Sequence, residues 1–425
     1  MNTPKLKLLI IVDPERPDFY SYFNELEPYA ELSLLWFIKE KDFVKPKGNI
    51  HFTNFYFWDA YATPKDLIKK VQPDKIIFFE VLDQRQISLV IAANAMKVPT
   101  IYLEHGAAGH RETALNRSEE GILKNLKENK LKFYKDRLVH NSVDMLKVKR
   151  FYYSVLNDVS LASKVKFTRL PVQGLLFNPN KTLRLNKFPE RLPKQCILFS
   201  KANQNQFELY TGVTDKEAIT EGVPMFDKYY RSSPEKKNHV VYIEHPYLEE
   251  FMHGWTEEHH RHIAEELRKL WKTRPGKLYI KLHPFSKKAR WDAYFDEHDN
   301  IEVIQEGDFT DLFLSAKIIL SYSSSLLTAL LCAKKNCVLL GWHPSPAILG
   351  VDYSQYQICH KSLSIDGLKL NFEKYLAENK CIVNDEGYVD FLKYFNYPFD
   401  GKAKDRVIAH LLADKNAGEN LSVQK

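Results

Sequence analysis

At 425 residues, with 44% apolar and 27% charged side chains, the chain is long enough for two or three domains and has the make-up of a globular protein, not of a disordered or fibrous one. A net charge of +7, carried by no long block of one sign, mildly favours anionic ligands or an anionic membrane surface, whereas a nucleic-acid binder would usually show a concentrated basic stripe. The five cysteines, Cys196, Cys332, Cys337, Cys359 and Cys381, are odd in number and lack a CxxC pair, so they read as reduced thiols and indicate neither a disulfide framework nor a zinc site.

The first seven residues run directly into the strand Leu8 to Val12, which is too short for the apolar region of a signal peptide. No run approaches the roughly 20 apolar residues of a membrane helix. The expected location is the cytoplasm, with a peripheral hold on the inner membrane as a variant of that reading. Aromatic residues, 13% of the chain, suit ring-stacking pockets and a well-filled core equally.

Short strands alternate with helices through the first half. Lys7 to Asp13, Glu31 to Phe37, Ile50 to Phe57, Lys75 to Val81 and Thr100 to His105 read as strands, with helices at Thr63 to Val71 and Gln84 to Met96. A long polar, amphipathic stretch follows from Glu119 to Asn157, then a strand at Ile197 to Phe199, and Gly222 to Asp227 closes this half. Residues 231–238 have a linker's composition.

Beyond the linker the alternation resumes. The strand His239 to Glu244 leads to a helix Glu257 to Trp271 with Thr256 as its N-cap, followed by strands Leu278 to Leu282, Ile301 to Ile304, Ile318 to Leu320 and Cys337 to Gly341. Asp308 and Asp311 read as caps of a short helix Leu312 to Ala316, and Gly387 to Tyr394 and Lys402 to Asp414 read as helices. The expected architecture is α/β, with two Rossmann-like, doubly wound domains facing a central cleft: 1–230, the linker 231–238, 239–414 with C-terminal helices, and a disordered tail 415–425.

Three apolar runs of the second half end in His-Pro: at His245-Pro246, His283-Pro284 and His343-Pro344. Proline lacks an N–H and stops a strand, which explains His245 and His343 equally well when each is taken singly. His283 shares its domain with a serine run, Ser321 to Ser325, placed between a strand and the helical segment from Leu326 onward. Ser323, Ser324 and Ser325 then sit at a helix N-terminus, whose free N–H groups and positive end favour phosphate while the same serines cap the helix. In the first half, the strand Thr100 to Leu103 ends at Glu104-His105-Gly106; either the carboxylate or the imidazole is a candidate general base, and Gly106 lets a substrate approach the backbone. Asp13 and Glu80, near other strand ends, are lesser candidates for that role. His253, His259, His260 and His262 lack the HExxH spacing and acidic partner of a metal site and read as a solvated helix start, so no metal is expected. GxGxxG and GxxxxGK[ST] are both absent, which argues against a nicotinamide enzyme or an NTPase.

Taken in order, Glu104-His105-Gly106, Gly222 to Asp227, Lys281 to Pro284 and Ser323-Ser324 resemble bacterial glycosyltransferases of the GT-B fold, within the surface-polysaccharide group of capsule sialyltransferases, Kdo transferases and CDP-glycerol glycerophosphotransferases. The resemblance implies that His283, Pro284, Ser323 and Ser324 bind the donor's nucleotide and phosphate. Its CDP-glycerol members place a catalytic histidine at His105, whereas its sialyltransferase members use an acidic residue. Thr328 stands where many such enzymes carry a ribose-binding glutamate. The implied function is an inverting, metal-independent glycosyltransferase that uses a cytidine-activated sugar, such as CMP-sialic acid or CMP-Kdo, to extend a bacterial surface glycan or glycolipid, with no cofactor and no nucleic-acid partner. The alternatives are glycerophosphate transfer from CDP-glycerol, a UDP-GlcNAc 2-epimerase-like enzyme, and a non-catalytic nucleotide-sugar-binding protein.

Overall fold

The computed structural model describes residues 5–12, 19–37, 40, 50–107, 142–176, 179–212, 218–231, 234–235, 237–249, 254–296, 299–322, 324–344, 351–378 and 384–413. The chain forms two compact units. The first contains β1 (Leu6–Ile11), β2 (Ala30–Trp36), β3 (Asn54–Phe57), α1 (Pro64–Val71), β4 (Lys75–Phe78), α2 (Gln84–Ala95), β5 (Thr100–Leu103), α3 (Ser142–Tyr153), α4 (Leu161–Leu176), α5 (Pro179–Leu185), β6 (Gln195–Leu198), α6 (Lys201–Thr211) and β7 (Ala218–Thr220). The second contains β8 (His239–Ile243), α7 (Glu257–Trp271), β9 (Lys277–Lys281), α8 (Lys288–Asp292), β10 (Ile301–Ile304), α9 (Thr310–Ser315), β11 (Ile318–Ser321), α10 (Ser325–Cys332), β12 (Cys337–Leu340), β13 (His360–Ser362), α11 (Ile365–Glu378) and α12 (Asp385–Phe395); α13 (Ala403–Leu412) ends the described chain.

Each unit is built on one parallel sheet, ordered β3-β2-β1-β4-β5-β6-β7 in the first and β10-β9-β8-β11-β12-β13 in the second. In both, the order reverses once, between β1 and β4 and between β8 and β11. Such reversals open a crevice at the carboxyl ends of the strands, where ligands of doubly wound sheets bind. Central strands are mostly apolar because helices cover both faces, and β4, β5, β8, β11 and β12 are buried at every position, the polar Lys75, Thr100, His239 and Ser321 at their ends included. The helices start where their sequence stops them from starting earlier. Thr63 accepts from the Asp66 N–H with Pro64 at the first helical position, Asp83 and Gln86 form a capping box on α2, and Thr256 accepts from the His259 N–H as expected.

The unit boundaries differ from the sequence expectation at two places. Residues from Phe226 onward, including the described part of the predicted linker, belong to the second unit. The Tyr230 ring packs edge-on against Phe399 at 5.2 Å, Arg231 pairs with Asp311, and the Lys237 N–H donates to the Ser315 carbonyl at 2.9 Å, so a polar composition here marks a surface strap and not a free joint. Conversely, α13 returns to the first unit although 239–414 reads as one domain. Glu221 binds both Arg406 and His410, at 2.9 and 2.7 Å, and the buried ammonium of Lys75 donates to the carbonyls of Leu411 and Ala413 at the helix C-terminus. A cation there satisfies carbonyls that the helix itself leaves open.

The strand predicted over Ile50 to Phe57 is confined to Asn54–Phe57, and the helix predicted over Leu312 to Ala316 starts earlier, at Thr310. Asp308 does cap that turn, accepting from the Thr310 N–H at 3.0 Å, while Asp311 lies inside it. The tail from 415 and most of Glu119 to Asn157 lie outside the described residues.

Candidate active site

The three His-Pro turns converge at the carboxyl edge of the second sheet. His245 follows β8, His283 follows β9 and His343 follows β12. The His245 and His283 rings lie 5.9 Å apart and nearly parallel, and His245 stacks on Tyr247 at 4.7 Å. Tyr247 in turn meets His343 at 5.1 Å and Tyr322 at 5.8 Å. Tyr322 follows β11 directly, two residues before Ser324, so one continuous aromatic patch joins all three histidines to the start of α10.

Two tautomers are fixed by neighbours. The Phe285 N–H donates to His283 Nδ1 at 3.3 Å, and Trp255 Nε1 donates to His343 Nδ1 at 3.2 Å. With Nδ1 accepting, the neutral ring carries its proton on Nε2. Ser324 is the N-cap of α10, its hydroxyl accepting from the Leu326 N–H at 3.2 Å, and Ser325 stands exposed at the first helical position. Pro284 is exposed just beyond β9. Ser323 and Asp13 lie outside the described residues.

Thr328 does not sit where a ribose could reach it. It is 2% exposed on the inner side of α10, and its hydroxyl is bonded to the Tyr353 hydroxyl at 2.6 Å. Four residues after the cap, a side chain one turn along the helix faces the core, and the apolar packing of α10 claims it. Among the other histidines, His259 and His262 are exposed as expected, but His260 is buried against Trp291, with ring centroids 4.5 Å apart, and burial pushes its imidazole down to about 4. His253 lies outside the described residues.

In the first unit, β5 ends at Leu103 and delivers Glu104-His105-Gly106 to the carboxyl edge beside the β1/β4 reversal. The Glu104 carboxylate accepts from the His105 N–H at 2.9 Å and lies 3.4 Å from its Nδ1. The His105 ring packs on Phe19 at 4.7 Å and, with Glu80, Phe79, Trp36 and Gln86, lines a cavity of about 160 Å³. Gly106 is held from the far side by Asn203, whose Nδ2 donates to its carbonyl at 2.8 Å. A Cβ at Gly106 would meet no atom of the described residues within 4 Å.

Sequence reasoning missed Tyr247, Trp255 and Tyr322, which build the aromatic patch, and Asn203. A signal existed for Tyr247 and Tyr322, each within two residues of a motif already singled out. None existed for Trp255 or Asn203, which reach their partners across 88 and 97 residues of sequence. Among the described residues, no three His, Cys, Asp or Glu side chains are grouped to hold a metal, and no helix is long and apolar enough to cross a membrane.

The profile of the family described as Alpha-2,8-polysialyltransferase (POLYST) matches residues 32–331. No curated protein matches the sequence. Among solved structures, a variant of the wall teichoic acid polymerase TagF soaked with CDPG is similar over 99% of this chain and 90% of its own, at 13% identity and a TM-score of 0.52. A putative UDP-N-acetylglucosamine 2-epimerase from Listeria monocytogenes is similar over 98% of both chains, at 11% identity and a TM-score of 0.50. The UDP-GlcNAc 2-epimerase from Methanocaldococcus jannaschii covers 96% of this chain and 99% of its own, at 13% identity and a TM-score of 0.47. At these identities the first two speak for the fold, the pair of Rossmann-like domains of GT-B enzymes, and not for a substrate.

Proposed function

This chain belongs to the alpha-2,8-polysialyltransferase family, and is thus a GT-B glycosyltransferase of bacterial surface glycans; on that premise we propose that it transfers sialic acid from CMP-sialic acid to a glycan acceptor. The observation that carries the donor half is the convergence of His245, His283 and His343 with the capped start of α10 beside the β8/β11 reversal. A monophosphate leaving group gains charge as its bond to the sugar breaks. The Nε2–H of His283, the N–H groups at the start of α10 and the Ser324 hydroxyl are donors suited to that charge.

The acceptor half of the proposal rests on Glu104 and His105. The acceptor hydroxyl attacks the anomeric carbon, its proton passes to His105, the bond from that carbon to the phosphate oxygen breaks, and CMP leaves. A single displacement inverts the anomeric centre. His105 takes the proton because its ring lines the cavity, and Glu104 lies behind it, 3.4 Å from Nδ1, where a carboxylate stabilises the imidazolium that forms. The resemblance to sialyltransferases implies an acidic base instead, which makes Glu104→Gln the discriminating variant: a loss as large as that of His105→Ala would assign the proton to the carboxylate. Charge on the phosphate is met by protein donors, so we further propose that transfer needs no metal, and full activity in EDTA is the expected result.

A peripheral hold on an anionic bilayer fits α4 and the basic segment that contains it. Residues 142–194 carry eleven Lys and Arg, of which Arg191 is buried, against three Asp and Glu, a concentration not anticipated from the even appearance of the whole sequence. On α4, Leu161, Val165 and Val172 are 84%, 55% and 57% exposed, with Lys166 and Arg169 exposed among them.

The test of the donor site is a calorimetric titration with CMP on the native protein and on His283→Ala, followed by CMP release from CMP-sialic acid in the presence of an oligosialic acceptor. Unchanged CMP affinity in the variant would sink the donor assignment. Release from CDP-glycerol in place of CMP-sialic acid would redirect the function to glycerophosphate transfer.

A further inference from the structure

The turn that carries His283 is gripped from two sides by side chains that no motif marks. Glu244, the residue between β8 and His245, is 4% exposed. Its Oε2 accepts from the His283 N–H at 3.1 Å and from the Ser286 hydroxyl at 2.6 Å. From the end of β10, Gln305 Nε2 donates to the carbonyls of His283 at 3.0 Å, Ser286 at 2.7 Å and Pro284 at 3.3 Å. The Ser286 N–H closes the turn on the His283 carbonyl at 3.0 Å.

We propose that Glu244 and Gln305 are positioning residues for donor binding: together they lock the His283–Ser286 turn, and with it the orientation in which His283 offers Nε2–H to the donor phosphate. The inference rests on the donor-site reading above. An apolar pair would fill the same space at less cost, since a buried carboxyl is retained only where its hydrogen bonds are used. The two bonds that its Oε2 accepts are both from the turn that holds the histidine.

The ionisation state of Glu244 matters to this grip. Burial raises its carboxyl to about 7, against the opposing effect of the Ser286 and His283 bonds. The groups facing it are Lys281 at the end of β9, Glu249 in the turn after β8, which is itself paired with Arg290 of α8 at 2.6 Å, Trp291 of α8 and the buried phenol of Tyr242 on β8. Lys281 favours the charged form and Glu249 disfavours it. As a carboxylate, Glu244 accepts from both turn donors with full charge. Protonated, it holds them more weakly.

The experiment measures kcat and KM for CMP-sialic acid from pH 5.5 to 9 on the native protein, Glu244→Gln and Gln305→Ala, with CMP titrations alongside. In the native protein, CMP affinity, which a general base acting in the chemical step does not set, is expected to rise through about pH 7, and Glu244→Gln is expected to abolish that inflection and raise the donor KM roughly tenfold with acceptor KM unchanged. Gln305→Ala is expected to raise the donor KM about threefold while keeping the inflection. An unaltered inflection and donor KM in Glu244→Gln overturns the proposal, as does a fall confined to kcat. If Glu244→Gln fails to fold, Gln305→Ala with Ser286→Ala decides it on donor KM alone. His283→Ala separates the two levels of argument: unchanged CMP affinity there sinks the donor site itself, whereas lost affinity there with an unaffected Glu244→Gln sinks only the positioning role.

Discussion

The two strand-end turns to which the proposed function assigns the chemistry are built in opposite ways. In the second unit, the His283–Ser286 turn is bonded to Glu244 on one flank and to Gln305 on the other, and its histidine belongs to an aromatic patch that runs to the start of α10. In the first unit, the Glu104–Gly106 turn has an internal carboxylate contact, a bond from the Glu104 N–H to the Ile197 carbonyl, a bond from Asn203 and, among the described residues, nothing against Gly106 where a side chain would point. A leaving phosphate is the same in every turnover and rewards a rigid cradle, because donors already in place need no reorganisation as charge develops. An acceptor that lengthens as it reacts rewards an open edge. Like responses of the two turns to substitution would remove this distinction.

The largest expected effect is at the Glu104–Gly106 turn. His105→Ala should lower kcat by roughly 10²–10⁴-fold, the range for loss of a general base, while leaving CMP affinity within a factor of two or so. Steady-state kinetics paired with calorimetry checks this, and a parallel loss of CMP affinity would erase the division between the turns. His283→Ala should weaken CMP binding by about 10–100-fold, the loss of one charge-assisted donor, with the thermal midpoint little changed. Asn203→Ala sharpens the same contrast: with its bond to the Gly106 carbonyl gone, kcat should fall about tenfold and the donor KM stay put.

Much of this was legible in the sequence because strand ends advertise themselves. Apolar runs stopped by proline located His245, His283 and His343, and the short run before Glu104 located the other turn. Parallel sheets require such runs, so the doubly wound fold was readable from them. What could not be read was anything set by contacts far apart in the chain. Lys75 caps a helix that ends more than 300 residues later, which is why α13 was expected in the wrong unit. Gln305 reaches a turn some twenty residues before it, and the amphipathic spacing of α10 does not say that Thr328 has found Tyr353. Periodicity reports which face is buried, not which polar partner waits there.

Co-sedimentation with anionic phosphatidylglycerol vesicles, but not with neutral phosphatidylcholine ones, is expected for the native protein, and Val165→Asp with Leu161→Asp should reduce it severalfold. Equal binding to both vesicle types would remove the electrostatic part of the idea.

The smallest effects concern stability, and they separate a polar group that serves the turn from one that serves the core. Glu244 has a carboxyl raised to about 7 by burial, so the folded state holds a proton that the unfolded state releases near the ordinary glutamate range. Stability from this group is therefore highest at low pH and declines as pH rises through the interval from the ordinary value to about 7. Thermal unfolding of the native protein compared with Glu244→Gln should show the variant losing less stability between pH 5.5 and 8. Thr328→Val, by contrast, removes one bond to a buried tyrosine hydroxyl and should cost roughly 1–2 kcal/mol at every pH, with CMP affinity unaffected. If Thr328→Val weakened CMP binding while Glu244→Gln left both the pH dependence and the donor KM untouched, the roles assigned to the two residues would have to be exchanged. The burial of Thr328 inside α10, and the bonds of Glu244 to the very turn that holds His283, are the physical grounds for expecting otherwise.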